Sequence, residues 1–484
     1  MSSETEIKLD LSQDACVALL GSDLLGEPDR TLQQRSTYFD TPERTMWKQG
    51  YSLRIRKVGD ARTQTVKATG PSRALFARSE WEIPVEGDEP VLDHTSPLIG
   101  EFGKELRLEP VFDVVVERRL WNVDENGSRI EVVVDQGEVI SGERRSPIRE
   151  LEIELKDGSP GDLFALARKV DAIAAFRFGV ISKSERGFLL IDAQKTVFKS
   201  EPIYLDRGGS PAFAFQSVAL SCLRHFRLNE DVFMRGGNPE ALHQARVALR
   251  RLRSAFSLFK PILENQEPQW LKDELRWLAG VLGEARNVDV LLAKAVDPDF
   301  IWRLKTARKA TYRDALDALE SSRTRALMLD VVEWLQCGDY LSGGLGTGEA
   351  SDASQAFAAG VLEKQRKRLK KDGRALKKLD DQDRHEVRKD AKKFRYAAEF
   401  FASLFDDKRS ARRHSKFLKA MEALQDQLGA LNDLVTEPDV LNRHGLSNHP
   451  AADTVMYHGA RGKLIDAAQD ALDEVLDTKR FWRL

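Results

Sequence analysis

A chain of 484 residues and 54.6 kDa, 42% hydrophobic and 31% charged, belongs with folded proteins of two or three domains at roughly 150 residues each. It has no apolar run long enough to cross a bilayer, and it opens with Glu4 and Glu6 where a secretory leader would be basic and then apolar, so a cytoplasmic location without membrane contact is expected. Three distant cysteines exclude a disulfide framework, and the net charge of -2 conceals an acidic first part, 35 Asp/Glu against 28 Lys/Arg over residues 1–200, and a basic remainder, 42 against 47.

From Glu4 to about Leu155 the pattern has period two, with short β-rich runs between turn clusters such as Val58-Gly59-Asp60 and Glu125-Asn126-Gly127. Helical stretches interrupt it near residues 12–20 and 161–176. Along each strand one face is apolar and the other ionised. Glu4, Glu6 and Lys8 alternate with Thr5, Ile7 and Leu9, and Arg54 and Arg56 with Leu53 and Ile55. Lys67 follows Val66, and Glu80 and Glu82 flank Trp81. Glu131 and Asp135 alternate with Val132 and Val134, and Glu150, Glu152 and Glu154 with Leu151 and Ile153. An ordinary wet sheet face mixes its charges, whereas here several strands carry only carboxylates and others only Arg or Lys. Clustered carboxylates suit a hard cation such as Mg²⁺ or Mn²⁺, and clustered cations suit the phosphate oxygens that such an ion bridges.

Residues Arg207-Gly208-Gly209-Ser210-Pro211 form a predicted linker, and the chain is helical beyond it, with a Gly/Ser-rich connection over residues 338–354. The helical part repeats itself. His243-x-x-Arg246-x-x-x-Arg250-Arg251-x-Arg253 returns 142 residues later as His385-x-x-Arg388-x-x-x-Lys392-Lys393-x-Arg395. At 100° per residue the offsets 3, 7 and 10 share one narrow helix face, so each copy aligns cations that repel one another unless a polyanion lies across them. Between Glu363 and Ala420, 21 Lys/Arg face 10 Asp/Glu. Nucleic acid is not expected as the partner, because aromatic stacking platforms are missing from the basic helices.

The first part resembles the CYTH superfamily of triphosphate tunnel metalloenzymes. Glu4-x-Glu6-x-Lys8 matches its EXEXK signature, and Tyr38-Phe39-Asp40-Thr41, Ser52-Leu53-Arg54-Ile55-Arg56, Gln64-Thr65-Val66-Lys67, Glu80-Trp81-Glu82 and Ser182-Lys183-Ser184-Glu185-Arg186-Gly187 follow in the family's order. The resemblance implies an eight-stranded antiparallel barrel enclosing a tunnel, charged faces inward and apolar faces covered by helices. It implies Glu4, Glu6, Glu152 and Glu154 at the metal. Lys8, Arg54, Arg56, Lys67, Arg118 and Lys183 would hold the triphosphate, with Arg118 chosen over the adjacent Arg119. Arg186 would bind substrate or clamp a lid helix, and Glu80, Glu82, Glu131 and Asp135 would be further tunnel carboxylates. Catalysis would rest on Glu4, Glu6, Lys8, Arg54, Arg56 and Lys67.

The helical part resembles the CHAD (conserved-histidine α-helical) domain. This implies two pseudo-symmetric four-helix bundles that bind inorganic polyphosphate through His243, Arg246, Arg250, Arg253, His385, Arg388, Lys392, Lys393 and Arg395. The expected protein is therefore α+β and multidomain: a tunnel domain over residues 1–200, a linker over 201–211, and an all-α domain over 212–484 with halves at about 212–337 and 355–484. Its expected activity is divalent-metal-dependent hydrolysis of inorganic triphosphate, with polyphosphate as partner and polyphosphate granules as a place of association. The alternatives are a polyphosphate-binding protein without catalysis, and a tunnel enzyme acting on nucleoside or thiamine triphosphate or as a class IV adenylyl cyclase.

Overall fold

The structure is a computed structural model that describes residues 5–68, 79–103, 105–192, 197–263, 268–344, 353–456 and 461–483. The chain divides into two compact units, one of Met1–Thr196 with Arg325–Cys337, the other of Val197–Thr324 with Gly338–Leu484.

The first unit is built on nine strands: β1 (Thr5–Leu11), β2 (Arg30–Asp40), β3 (Tyr51–Val58), β4 (Ala61–Ala68), β5 (Ser79–Pro84), β6 (Glu109–Glu125), β7 (Ser128–Ser141), β8 (Arg144–Asp157) and β9 (Phe176–Phe178). They form one antiparallel sheet in the order β5-β4-β3-β2-β6-β7-β8-β1-β9, so the eight expected strands are joined by a three-residue ninth. Tight hairpins make part of this order, while β2 with β6 and β8 with β1 are long-range pairs: Asn126 and Gly127, both with positive φ, join β6 to β7 with Glu125 opposite Ser128.

Period-two alternation then assigns the faces. On one side Ile7, Leu9, Val132, Val134, Leu151 and Ile153 are buried beneath α1 (Gln13–Leu20) and α4 (Pro160–Asp171), whose own buried residues include Cys16, Leu19, Phe164 and Val170. Near β3 and β4 the same side is closed by Met46 of α2 (Thr45–Lys48) and Leu98 of α3 (Leu98–Phe102), packed with Leu53, Ile55 and Val66. The opposite side carries the charges, but not along its whole length. Toward one end it is apolar, where Tyr38, Phe112, Val114, Val116, Val139 and Ile148 pack on Phe188 of α5 (Lys183–Ile191). The charged face is thus shorter than alternation predicts, because a helix must dock on part of it.

The second unit contains α6 (Pro211–Gly236), α7 (Pro239–Leu258), α8 (Lys260–Leu263), α9 (Gln269–Lys294) and α10 (Pro298–Glu320). After α11 (Ser322–Cys337), whose residues from Arg325 onward belong to the first unit, come α12 (Ala353–Gly373), α13 (Asp381–Phe400), α14 (Lys408–Arg443), α15 (Ala452–Val455) and α16 (Arg461–Asp477). Helices α6, α7, α9 and α10 pack in sequence, as do α12, α13, α14 and α16. The two sets share a core in which Val288, Leu291, Phe300 and Leu304 meet Val440, Leu441 and Val455. Residues 197–205, partly assigned to a linker by sequence, are tied to this unit. Asn229 binds the Phe198 backbone at both N–H (3.0 Å) and carbonyl (2.9 Å), Leu205 N–H donates to Ser403 Oγ (2.9 Å), and Ile203 is buried. Among the described residues no helix is long and apolar enough to cross a membrane.

Candidate functional site

Strand register collects the charged residues of the first unit. Lys8 stands opposite Glu152, Glu6 opposite Glu154, Glu154 opposite Glu131, and Asp135 opposite both Glu150 and Arg118. Farther along the same face Arg54 stands opposite Thr65, Thr65 opposite Glu82 and Lys67 opposite Glu80. Glu4 lies outside the described residues. Arg118 donates to Asp135 Oδ1 from Nε (2.8 Å) and to Oδ2 from Nη2 (2.6 Å), and reaches Glu152 at 3.3 Å. Arg119 projects from the other face and pairs with Glu117 at 2.6 Å.

Helix α5 brings two more cations. Its N-cap Ser182 accepts from Glu185 N–H (3.2 Å), the first half of a capping box written in the sequence as Ser-x-x-Glu. Gly187 lets the helix approach, since a Cβ there would stand 2.1 Å from the Phe112 ring. Lys183 Nζ is consequently held by three carboxylates, Glu150 at 2.6 Å, Asp135 at 2.9 Å and Glu152 at 3.1 Å, and Arg186 spans Asp10 and Glu150 at 3.4 Å each.

This mutual pairing offsets desolvation. Burial opposes the Lys183 ammonium, but Asp135, Glu150 and Glu152 hold its pKa well above the ordinary value. Burial likewise disfavours charge on Lys8 and is outweighed by Glu152 and Glu6. Glu152, despite its burial, is held well below the carboxylate range by Lys183, Lys8 and Arg118, and Asp135 is lowered by Lys183 and Arg118. Across the face Lys67 pairs with Glu80 at 2.6 Å, and Arg54 lies 3.9 Å from Glu80 and 3.5 Å from Tyr38 Oη. The buried Nε atoms of Arg54 and Arg56 have no hydrogen-bond partner. Arg56 makes no ion pair among the described residues, which suits a cation awaiting an anionic ligand.

The fit to a divalent ion differs among the carboxylates. Among the described residues no group of three or more His, Cys, Asp or Glu side chains is gathered as a metal-holding set. Glu152 is committed to three cations. Glu6, Glu154 and Glu131 fit better: they are aligned across three adjacent strands and offer only oxygen donors. Glu150, Asp10 and Lys156 were not among the expected site residues. Glu150 and Lys156 continue the period-two series of Glu152 and Glu154, so the signal was present in the strand itself.

In the second unit, α7 and α13 pack together. Each begins at a side-chain cap, Asn238 and Asp380, the second accepting from Asp383 N–H at 2.8 Å. Arg250 donates from Nε to Tyr396 Oη at 2.6 Å. Around this contact cations outnumber acids. Burial, with Arg250, Arg388 and Arg246 adding repulsion, brings the Lys392 pKa down to about 6. Burial and the neighbouring Arg250, Arg388 and Arg286 bring Arg246 to about 10, and burial with Arg286 brings His243 to about 4. Arg388 is also lowered, by burial first, with Asp433 opposing the shift. His243, Arg246, Arg250, Arg388 and Lys392 therefore form one cluster, together with Arg286, a residue outside the expected binding set.

Other expected residues stand differently. His385 Nδ1 lies 2.8 Å from Asn432 Oδ1, and Arg395 donates to Glu399 (2.9 Å) and Gln425 (3.2 Å). Arg253 is exposed, with Arg276 as its charged neighbour, and Lys393 faces Asp390, Arg368 and Lys389. Arg251 is buried against Glu399, Tyr396 and Phe400. One narrow helix face thus splits, because tertiary packing gives each position a different neighbour.

The inorganic triphosphatase of Haemophilus influenzae is 34% identical over 199 residues, which cover 39% of this chain and 55% of that protein, so the match spans about half the relative's length. An uncharacterized protein of Mycobacterium tuberculosis is 24% identical over 480 residues, covering 90% of this chain and 86% of its own. The crystal structure of the CHAD domain from the plant Ricinus communis shares 32% identity, covering 57% of this chain and 96% of that one with a TM-score of 0.48. The family model of the CYTH domain matches residues 2–188 and that of the CHAD domain residues 217–442, and the chain accordingly carries a CYTH domain followed by a CHAD domain.

Proposed function

We infer that the first unit hydrolyses inorganic triphosphate with a divalent metal ion and that the second binds inorganic polyphosphate. The observation that carries the reading is the segregation of charge on one sheet face: Lys8, Arg54, Arg56, Lys67 and Arg118, joined by Lys183 of α5, share it with the carboxylates, and Arg56 has no acidic partner among the described residues. The similarity to an inorganic triphosphatase supports the same choice of substrate. In this reading the Arg and Lys side chains bind the phosphate oxygens and spread the charge of the transferring group. Lys8 and Lys183, tethered to carboxylates, are positioned in advance and give up part of that pairing to the ligand. Glu6 and Glu154, with Glu4, would hold the metal, and a divalent ion there would neutralise phosphoryl charge and acidify water. Arg246, Arg250, Arg388, Lys392 and His243 would bind polyphosphate, whose charge relieves their mutual repulsion. Such a protein would work in the cytoplasm, on polyphosphate granules.

The test is phosphate release from inorganic triphosphate with Mg²⁺, Mn²⁺ or EDTA, compared with ATP and thiamine triphosphate. Metal-dependent release that prefers inorganic triphosphate and falls at least a hundredfold in Glu6→Ala, with the melting temperature of that variant within a few degrees of wild type, is the expected outcome. Full activity in Glu6→Ala, or cyclic AMP formation from ATP, refutes the assignment.

A further inference from the structure

Three carboxylates stand in line across neighbouring strands, Glu6 of β1 opposite Glu154 of β8, and Glu154 opposite Glu131 of β7. Like charges directly opposite one another weaken strand pairing, so a cation belongs among them. The chain supplies one itself. Lys156 lies two residues beyond Glu154 on the same face of β8, and its Nζ sits 2.7 Å from Glu154 Oε1 and 3.2 Å from Glu131 Oε1. Among the described residues no other Lys or Arg pairs with Glu131, whereas Glu6 has Lys8 at 3.4 Å.

We propose that Lys156 is a built-in competitor of the divalent ion at this carboxylate row and sets how tightly, and in what number, ions are held there. The proposal rests on the metal-dependent reading above. An ammonium and a divalent cation seek the same oxygens, but the ammonium is tethered and carries half the charge. The Lys156 side chain is 40% exposed, so it can withdraw into water and free the hard oxygen donors of Glu154 and Glu131 beside Glu6. Metal entry is then an exchange of lysine for ion, and the affinity observed is the intrinsic affinity reduced by the two ion pairs that must open. The exchange also gives the empty face a way to remain paired when no ion is bound, which like-charged carboxylates alone would lack.

The experiment titrates the full-length protein with Mn²⁺ in the absence of any phosphate compound and follows free Mn²⁺ by electron paramagnetic resonance. Wild type is compared with Lys156→Met, which removes the charge at similar volume, and with Lys156→Arg, which keeps it; Lys156→Gln replaces the Met variant should that one not fold. The Met or Gln variant is expected to bind Mn²⁺ about tenfold more tightly or to take up one additional ion, the order expected when a unit positive charge that has withdrawn into water about 6 Å from a divalent ion is removed. The Arg variant is expected to match wild type. Identical titrations for wild type and the charge-removing variant, or equal tightening in the Arg variant, would overturn the proposal while leaving the metal reading in place. No Mn²⁺ bound by wild type or by any variant would instead overturn the metal reading, and this inference with it.

Discussion

Lys392 lies among Arg246, Arg250 and Arg388 with Asp433 opposing them, and its pKa of about 6 has a consequence for stability. The folded-state value lies below the ordinary 10.5, so between these values the unfolded chain binds a proton that the folded chain has released. Stability contributed at this position therefore rises with pH across that window, and the penalty is complete below about pH 6. Lys392→Met should raise the melting temperature, most at pH 6 or below and progressively less toward pH 10, as read by calorimetry across that range. Gly187 illustrates a different constraint. Any side chain there meets the Phe112 ring, so Gly187→Val should cost about 1 to 3 kcal/mol in denaturant unfolding by forcing α5 from the sheet.

At the scale of the element, α5 joins the apolar end of the sheet face to the charged end. Phe188 anchors it among Tyr38, Phe112 and Val116, while Lys183 adds a shared counter-charge to three buried carboxylates that otherwise rely on Arg118, Lys8 and Arg186. Lys183→Met should lower stability by roughly 3 kcal/mol in addition to any loss of activity, because it leaves three buried carboxylates short of one positive charge. The pH response carries the sign. Asp135 and Glu152 have folded-state values depressed below the ordinary 3.8 and 4.5, so their contribution is present above those values and disappears as pH falls through the lower folded ones. Wild type should therefore lose its advantage over Lys183→Met in acid unfolding below about pH 4, and a constant difference would count against the pairing as its source. The helix itself was legible from Ser182-x-x-Glu185, but its seat on the charged side of the sheet was not, since a cap fixes where a helix begins and says nothing of which face receives it.

For the molecule as a whole, the division between the units falls at Thr196 and Val197, ahead of the Gly-rich run that sequence marks as linker. The reason is that residues 197–205 spend their backbone polar groups on α6 and on Ser403. Asn229→Ala removes the side-chain partner of the Phe198 N–H and one of two side-chain partners of its carbonyl, the other being His225 Nε2 at 3.0 Å, and should cost about 2 kcal/mol in the helical unit. The bond after Lys199 should then be cut faster by trypsin under native conditions; an unchanged cleavage rate would show that the segment is held by other contacts.

The alternation of charge and the repeat of His243 at His385 were visible in the sequence because strand and helix periods are local, and they determined the order of elements and the side on which Lys8, Arg54, Lys67, Glu152 and Asp135 lie. Arg118 and Arg119 show the limit. Adjacency guarantees that they face opposite ways, but only the pairing of β6 with β7 decides that Arg118 meets Asp135. The same holds for Glu152, chosen by sequence as a metal ligand and found engaged with three cations, and for Arg253 and Lys393, which lie outside the cluster that Arg250 and Lys392 of the same helices help to form. Periodicity assigns a face; which charges become neighbours is settled by long-range packing, and electrostatic character depends on those neighbours.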